Sequence, residues 1–280
     1  DICTKFITPA VEQAGWDAEM LSRTPLSVGT TNGGMFEGEC FFRELQLPAP
    51  DHALCREKAG GYPVSRQMQD LECHLGVLGP KRVFSNACAS GANGIGHAYQ
   101  MIHHGVWEIA LAGGYDALCE LSFAGFDCIR SLSPTYCQPF GRHRNGLLLG
   151  EGAGILCLES ESSARRRQAN PIAEVLGYGA ATDTYHHTQH NPNGKIAARS
   201  MMLALNDQKI PSSRIGYVNA HGTGTSYNDN MEAVAIAEIF GADCPVVIVS
   251  SNKGAMGHLL GGAGSVEAII TAMSLSEKWV

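Results

Sequence analysis

The chain is short of several features that would assign it to other classes. No apolar run in its 280 residues approaches the ~20 needed for a membrane-spanning helix, so a bilayer span is not expected. Positive charge is scarce: 20 Lys and Arg stand against 27 Asp and Glu, a net charge of −7. That argues against bulk nucleic-acid binding, which needs a basic field, but leaves room for a small basic patch facing an acidic partner. The phosphate-cradling pattern GxxxxGK[ST] is absent, and no GxGxxG follows a strand-like run, so mononucleotide and dinucleotide sites of those kinds are excluded. There is no signal-peptide pattern and no CxxC pair among the ten cysteines; Cys119, Cys128 and Cys137 are spaced by nine residues. We expect free thiols in a reducing, cytoplasmic setting rather than a disulfide framework.

What is present is ordinary globular material, 44% hydrophobic and 17% charged, with 33 glycines, some of which stand beside candidate reactive residues in three places. The first is Ser85-Asn86-Ala87-Cys88-Ala89-Ser90-Gly91, after the strand-like run Lys81-Arg82-Val83-Phe84. The second is His221-Gly222-Thr223-Gly224-Thr225, and the third is Asn252-Lys253-Gly254-Ala255-Met256-Gly257-His258.

The pattern along the chain alternates strand and helix signals, which points to an α/β fold with a largely parallel sheet. Residues 1–24 read as helix. Leu26 to Gly34 reads as a buried strand running into a glycine loop, and strands are expected at Lys81 to Phe84, Glu108 to Gly114, Gly152 to Leu158, Ile172 to Leu176, Ile215 to Asn219 and Val246 to Val249. Helices are expected after Cys88, at Ser160 to Gln168, at Lys195 to Asn206 and at Asp229 to Phe240. Arg165-Arg166-Arg167 reads as a solvated face, and His103-His104 as a helix C-terminus suited to a cation. The break near Pro171 divides the chain into halves, 1–168 with the cysteine and 169–280 with the histidines. Val83-Phe84-Ser85-Asn86 and Val249-Ser250-Ser251-Asn252 echo one another, each leading into a small-residue helix, which suggests a duplicated strand–helix unit. The chain opens on Asp1 rather than methionine and stops at Val280 in a helical pattern, so we expect a longer parent polypeptide.

A cysteine at a strand-to-helix turn meets the positive end of the helix, where dipole and unpaired N–H groups favour a thiolate. A thiolate exchanges thioesters at little cost in free energy. Histidines that keep an N–H can stabilise an enolate or oxyanion, and two such donors on one oxygen would favour a carbanion formed by decarboxylation. A lysine near them tunes their charge, and a carboxylate can hold the lysine. His186-His187-Thr188-Gln189-His190 reads as a loop, with a metal cluster as the less favoured alternative.

These residues resemble the β-ketoacyl synthases, the elongating condensing enzymes of fatty-acid and polyketide synthesis. The resemblance rests on Ala87-Cys88-Ala89-Ser90-Gly91, on His221-Gly222-Thr223-Gly224-Thr225 with Asp229 and Glu232, and on Asn252-Lys253 with Gly257-His258-Leu259-Leu260-Gly261. From His221 the spacings are 11 to Glu232, 32 to Lys253 and 37 to His258. Pro139-Phe140 leading to Gly150-Glu151-Gly152-Ala153-Gly154 extends the likeness over nearly the whole chain.

The resemblance implies a thiolase-like α/β fold, five layers αβαβα built from two related halves. It implies that Cys88 is acylated, that His221 and His258 bind the malonyl thioester carbonyl, and that Lys253 and Glu232 form a supporting pair, catalytic or purely structural. Thr223 and Thr225 would bond the phosphopantetheine arm. Phe126 would line the acyl pocket or simply fill core, and Arg130 would dock the carrier protein or lie on ordinary surface. Asn219 and Glu267 would hold a monovalent cation. No dissociable cofactor is implied, because phosphopantetheine arrives on the acyl carrier protein; that protein and a second copy of the chain, as a homodimer, are the expected partners. A C-terminal Gly-Phe-Gly-Gly turn of the family, which supplies one oxyanion-hole N–H, is not among the 280 residues, so we expect this stretch alone to be unstable or inactive. The alternatives are a thiolase or initiating synthase of the same fold, and a non-catalytic partner subunit that sets chain length. Cys88 and both histidines argue against the last.

Overall fold

The computed structural model describes residues 2–241 and 247–279; Asp1, Val246 and Val280 therefore lie outside the described residues. In chain order the helices are α1 (Ile2–Ala14), α2 (Ala18–Arg23), α3 (Met35–Leu45), α4 (His52–Gly61), α5 (Val64–Leu75), α6 (Ser90–His103), α7 (Glu120–Cys128), α8 (Glu161–Arg166), α9 (Lys195–Asp207), α10 (Ser226–Phe240), α11 (Lys253–Met256) and α12 (Ala263–Glu277). The strands are β1 (Leu26–Gly29), β2 (Lys81–Phe84), β3 (Ile109–Asp116), β4 (Gly152–Glu159), β5 (Tyr217–Asn219) and β6 (Ile248–Ser250). Among the described residues no helix is long and apolar enough to cross a membrane. Eight described cysteines are thiols rather than disulfides.

The chain folds as two units. The first comprises Asp1–Cys128, Gly150–Pro171 and Leu259–Ile269. Its sheet has the order β2-β1-β3-β4. β1 runs parallel to both neighbours, and β3 pairs antiparallel with β4. β3 is buried along its whole length, and its alternation sorts side chains by size. Ile109, Leu111 and Tyr115 join a core built with Ile7 of α1 and Leu71 of α5. Ala110 and Ala112 meet Ile95 and Ala98 of α6 on the other face.

The small residues let α6 lie almost on the sheet backbone. A Cβ on Gly94 would come within 2.7 Å of the Gly113 carbonyl oxygen and 2.9 Å of that of Ser27. No side chain fits there, so glycine at this position is required by the close approach.

Three local expectations change. The stretch read as one helix is two: Gly15 takes φ 65° and ends α1, and Asp17 then caps α2 by accepting the Met20 N–H at 2.8 Å. Arg167 does not belong to a solvated face. Its guanidinium grips the mostly buried Glu159 carboxylate, with Nη2 at 2.6 Å and Nε at 2.9 Å, and donates to the Ala14 carbonyl at 2.9 Å. The strand expected at Ile172 to Leu176 does not form. In the second unit β5 pairs with β6 alone among the described strands, and Ile172 stays exposed.

The second unit comprises Ile129–Leu149, Ile172–His258 and Ile270–Val280. Its two strands run parallel, with Tyr217 opposite Ile248 and Asn219 opposite Ser250. Helices α9 and α10 pack together closely enough that a Cβ on Gly194 would lie 2.8 Å from the Met231 carbonyl oxygen. The internal echo holds for strand and turn and then diverges. α6 continues for 14 residues, whereas α11 stops after four, where Gly257 takes φ 75°.

Candidate active site

Cys88 lies between the end of β2 and the start of α6, half-buried. The turn is tight. Ala87 sits at φ 56°, left-handed backbone that costs a residue with a Cβ about 1–2 kcal/mol. Ser90, fully buried, holds the turn: its Oγ accepts the Asn86 N–H at 2.9 Å and donates to the Ala87 carbonyl at 2.6 Å. Ala89 at the N-cap offers no side-chain acceptor, so no cap side chain satisfies the first N–H groups of α6. Strain held by surrounding structure and uncapped N–H groups ahead of a long helix are fitting surroundings for a nucleophile.

The second unit gathers the histidines. The rings of His221 and His258 meet edge to face, with centroids 5.2 Å apart and planes at 83°. His221 follows the end of β5 after a single residue, Ala220. Its backbone N–H and that of Gly222 both donate to Glu232, at 2.6 Å and 2.8 Å, and Asn228 Nδ2 adds a third bond at 3.2 Å. Burial pushes the Glu232 carboxyl up, while these donors and the Lys253 charge pull it down. Asp229, also buried, accepts the N–H groups of Gly224 at 3.2 Å and Phe140 at 2.7 Å. It thereby ties the His221–Thr225 loop to the turn at Phe140.

Lys253 is fully buried, and its Nζ lies 3.3 Å from His221 Nδ1. An ammonium can only donate, so His221 Nδ1 accepts and Nε2 carries the ring proton. Burial, then Lys253, then His258 push the His221 pKa well below its usual value. His258 is buried too, and burial followed by Lys253 lowers its pKa to about 3. Its backbone N–H donates to the Leu148 carbonyl at 2.7 Å. The cluster thus offers neutral imidazoles beside a fixed ammonium. Neutral rings of this kind can present N–H groups to a developing oxyanion.

The remaining expected residues are placed as follows. Thr223 and Thr225 hydrogen-bond to each other through their hydroxyls at 2.8 Å. Arg130 is exposed on a turn with φ 54°. Asn219 ends β5, and its Nδ2 donates to Thr271 Oγ1 at 3.1 Å. Phe126 is half-buried in α7, and Glu267 half-buried in α12. The structure therefore joins His221, His258, Lys253 and Glu232 in one cluster of the second unit, while Cys88, Phe126 and Glu267 belong to the first. A cavity of about 300 Å³ in the second unit reaches His221 and Glu232 and is lined also by Asp183, His190, Asn191 and Met231.

Sequence reasoning gave no role to Ser90, Asn228 or Asp116. Asp116 was detectable in principle: it is a carboxylate that closes an otherwise apolar strand.

Comparison with known proteins agrees with this geometry. Residues 2–164 match the beta-ketoacyl synthase N-terminal domain, and residues 172–280 match the beta-ketoacyl synthase C-terminal domain. The chain belongs to the beta-ketoacyl synthase family. It is 35% identical over 297 aligned residues to 3-oxoacyl-[acyl-carrier-protein] synthase 2 of Staphylococcus aureus (strain COL), covering 100% of this chain and 70% of that protein. Among solved structures it resembles the ishigamide ketosynthase/chain length factor, with a TM-score of 0.89 and 33% identity over 95% of this chain. It spans 66% of the length of that structure. A type II PKS acyl-carrier protein in complex with its ketosynthase bound to the hexaketide also matches, with a TM-score of 0.89 and 28% identity over 96% of this chain and 70% of that one. This beta-ketoacyl synthase chain accordingly has the thiolase-like α/β fold of the ketosynthases.

Proposed function

We propose that the protein is an elongating 3-oxoacyl-[acyl-carrier-protein] synthase acting in fatty-acid or polyketide synthesis. The observation that carries this reading is the edge-to-face pair of His221 and His258, with buried Lys253 Nζ 3.3 Å from His221 Nδ1, which leaves the ring proton on Nε2.

In the first half-reaction Cys88 Sγ attacks the carbonyl of an acyl thioester on acyl carrier protein. A new thioester forms at Cys88, and the carrier's phosphopantetheine thiol leaves with the proton. In the second, His221 and His258 donate to the thioester oxygen of malonyl carrier protein. That oxygen takes on negative charge as carbon dioxide departs. The resulting carbanion attacks the acyl carbonyl at Cys88, the new carbon–carbon bond forms, and the Cys88 thiolate is released and takes up a proton. Lys253 keeps the histidine proton in place, and Glu232 fixes the backbone that bears His221.

Thr223 and Thr225 would bond the phosphopantetheine arm, Phe126 would line the acyl pocket, and Arg130 would meet the carrier. No dissociable cofactor takes part in these steps. The amide oxygen of Asn219 and the carboxylate of Glu267 are hard donors that suit a monovalent cation, whose part would be structural. We further propose a cytoplasmic protein that works as a homodimer.

Labelling of the intact protein with a cerulenin-like electrophile tests the assignment. Label should enter at Cys88 and disappear in Cys88→Ala, together with all acyl transfer. Equal labelling of both proteins would show that another thiol reacts and end this reading.

A further inference from the structure

Asp116 closes β3 and is fully buried. Its carboxylate is held by four donors. Oδ1 accepts Thr30 Oγ1–H at 2.8 Å and the Asn32 N–H at 2.7 Å. Oδ2 accepts the Thr31 N–H at 2.8 Å and the Gly261 N–H at 2.6 Å. Such a set replaces the water that the buried charge has lost.

The bond to Gly261 differs from the rest, because it reaches across 145 residues of sequence. The Gly261 peptide has no slack. A Cβ there would lie 2.6 Å from Thr31 N and 2.7 Å from Asp116 Oδ2. Its carbonyl oxygen would stand only 2.5 Å from a Cβ on Gly91. Gly261 is three residues beyond His258. Upstream, the His258 N–H is fixed on the Leu148 carbonyl at 2.7 Å. Only Leu259 and Leu260 lie between the two anchors, and Leu260 takes the unusual φ of 51°. Rotation of the backbone at His258 would require one anchor to yield.

We propose that Asp116 is a positioning residue for His258: through the Gly261 N–H it fixes the backbone from which the imidazole departs. This rests on the function proposed above, in which His258 acts on the malonyl thioester.

The test is Asp116→Asn in the intact protein. The asparagine side chain has one acceptor oxygen, so in either orientation its NH2 group confronts two of the four donors. With malonyl carrier protein as probe, kcat for decarboxylation should fall about 100-fold, with KM and electrophile labelling of Cys88 each within about threefold of wild type. Unchanged decarboxylation would overturn the proposal. So would an equal loss of decarboxylation and Cys88 labelling, which marks a general structural role. If Asp116→Asn shows no cooperative melt, Thr30→Val takes its place, removing one donor while keeping the charge. Its decarboxylation should fall about 10-fold with the melt retained, and an unchanged rate overturns the proposal. A wild-type protein that neither labels at Cys88 nor decarboxylates malonyl thioester would instead sink the proposed function.

Discussion

Cys88 and His221 occupy comparable places in the chain, each just past a strand end and ahead of a long helix, yet they are held by different means. The Cys88 turn is held by backbone geometry: a left-handed Ala87 and two hydrogen bonds through one serine hydroxyl. The His221 loop is held by buried charge. Glu232 collects two successive N–H groups, Asp229 collects two more, and Lys253 sets the ring tautomer. The difference matches the tasks. A nucleophile needs partial exposure and a favourable dipole, which a strained turn supplies. A hydrogen-bond donor for an oxyanion needs dryness and a fixed proton, which buried charges supply at the cost of desolvation.

If the contrast is sound, perturbing charge should damage the histidine chemistry and spare the thiol. The largest effect is expected for His258→Ala. Malonyl decarboxylation should drop roughly 100- to 1000-fold while electrophile labelling of Cys88 persists. Retained malonyl turnover would remove the two-histidine account. Glu232→Ala comes next, because it leaves two neighbouring N–H groups without their acceptor. A stability loss of about 3 kcal/mol is expected in denaturant melts.

The third prediction concerns pH. His258 sits at about 3 against an ordinary 6.5, and His221 is displaced in the same direction. Below about 6.5 the unfolded chain therefore takes up protons that the folded histidines refuse. These rings add no pH dependence above that value, and stability falls as pH drops from about 6.5 toward 3. Thermal melts between about pH 7 and pH 5 should show this slope, reduced in His258→Ala. An identical slope in the variant would assign the acid loss elsewhere. Ser90→Ala should have the smallest effect, about 1 kcal/mol, together with weaker labelling of Cys88. Should it match Glu232→Ala in cost, the distinction between the two loops collapses.

The chemistry was more legible in the sequence than the framework that supports it. Cys88, His221, Lys253 and His258 could be read because their reactivity resides in residue type, and the spacing between them carried the family resemblance. The strands at Leu26 and Lys81 were legible because glycine or proline bounds them. Asp116 stood out locally as a carboxylate closing an apolar strand, but its role was not legible, because its decisive partner Gly261 lies 145 residues away. Ser90 looked like one small residue among several, since its work is done on backbone atoms. The helix break at Gly15 was masked by apolar residues that continue the period into α2. Ile172 to Leu176 had the composition of a strand, but a strand forms only where a neighbour offers a ladder. Arg167 looked like one of three surface charges until Glu159, on another element, was seen beneath it.

The glycine contact between α6 and the sheet has a mechanical consequence. Where a layer of side chains separates two elements, it absorbs small displacements by changing rotamer. At Gly94 that layer is missing, and backbone rests on backbone. A push on the sheet near Gly113 or Ser27 is therefore passed to α6 undamped, and with it to the turn that carries Cys88. The aim of the nucleophile therefore follows the sheet beneath α6 as well as the turn in which Cys88 sits.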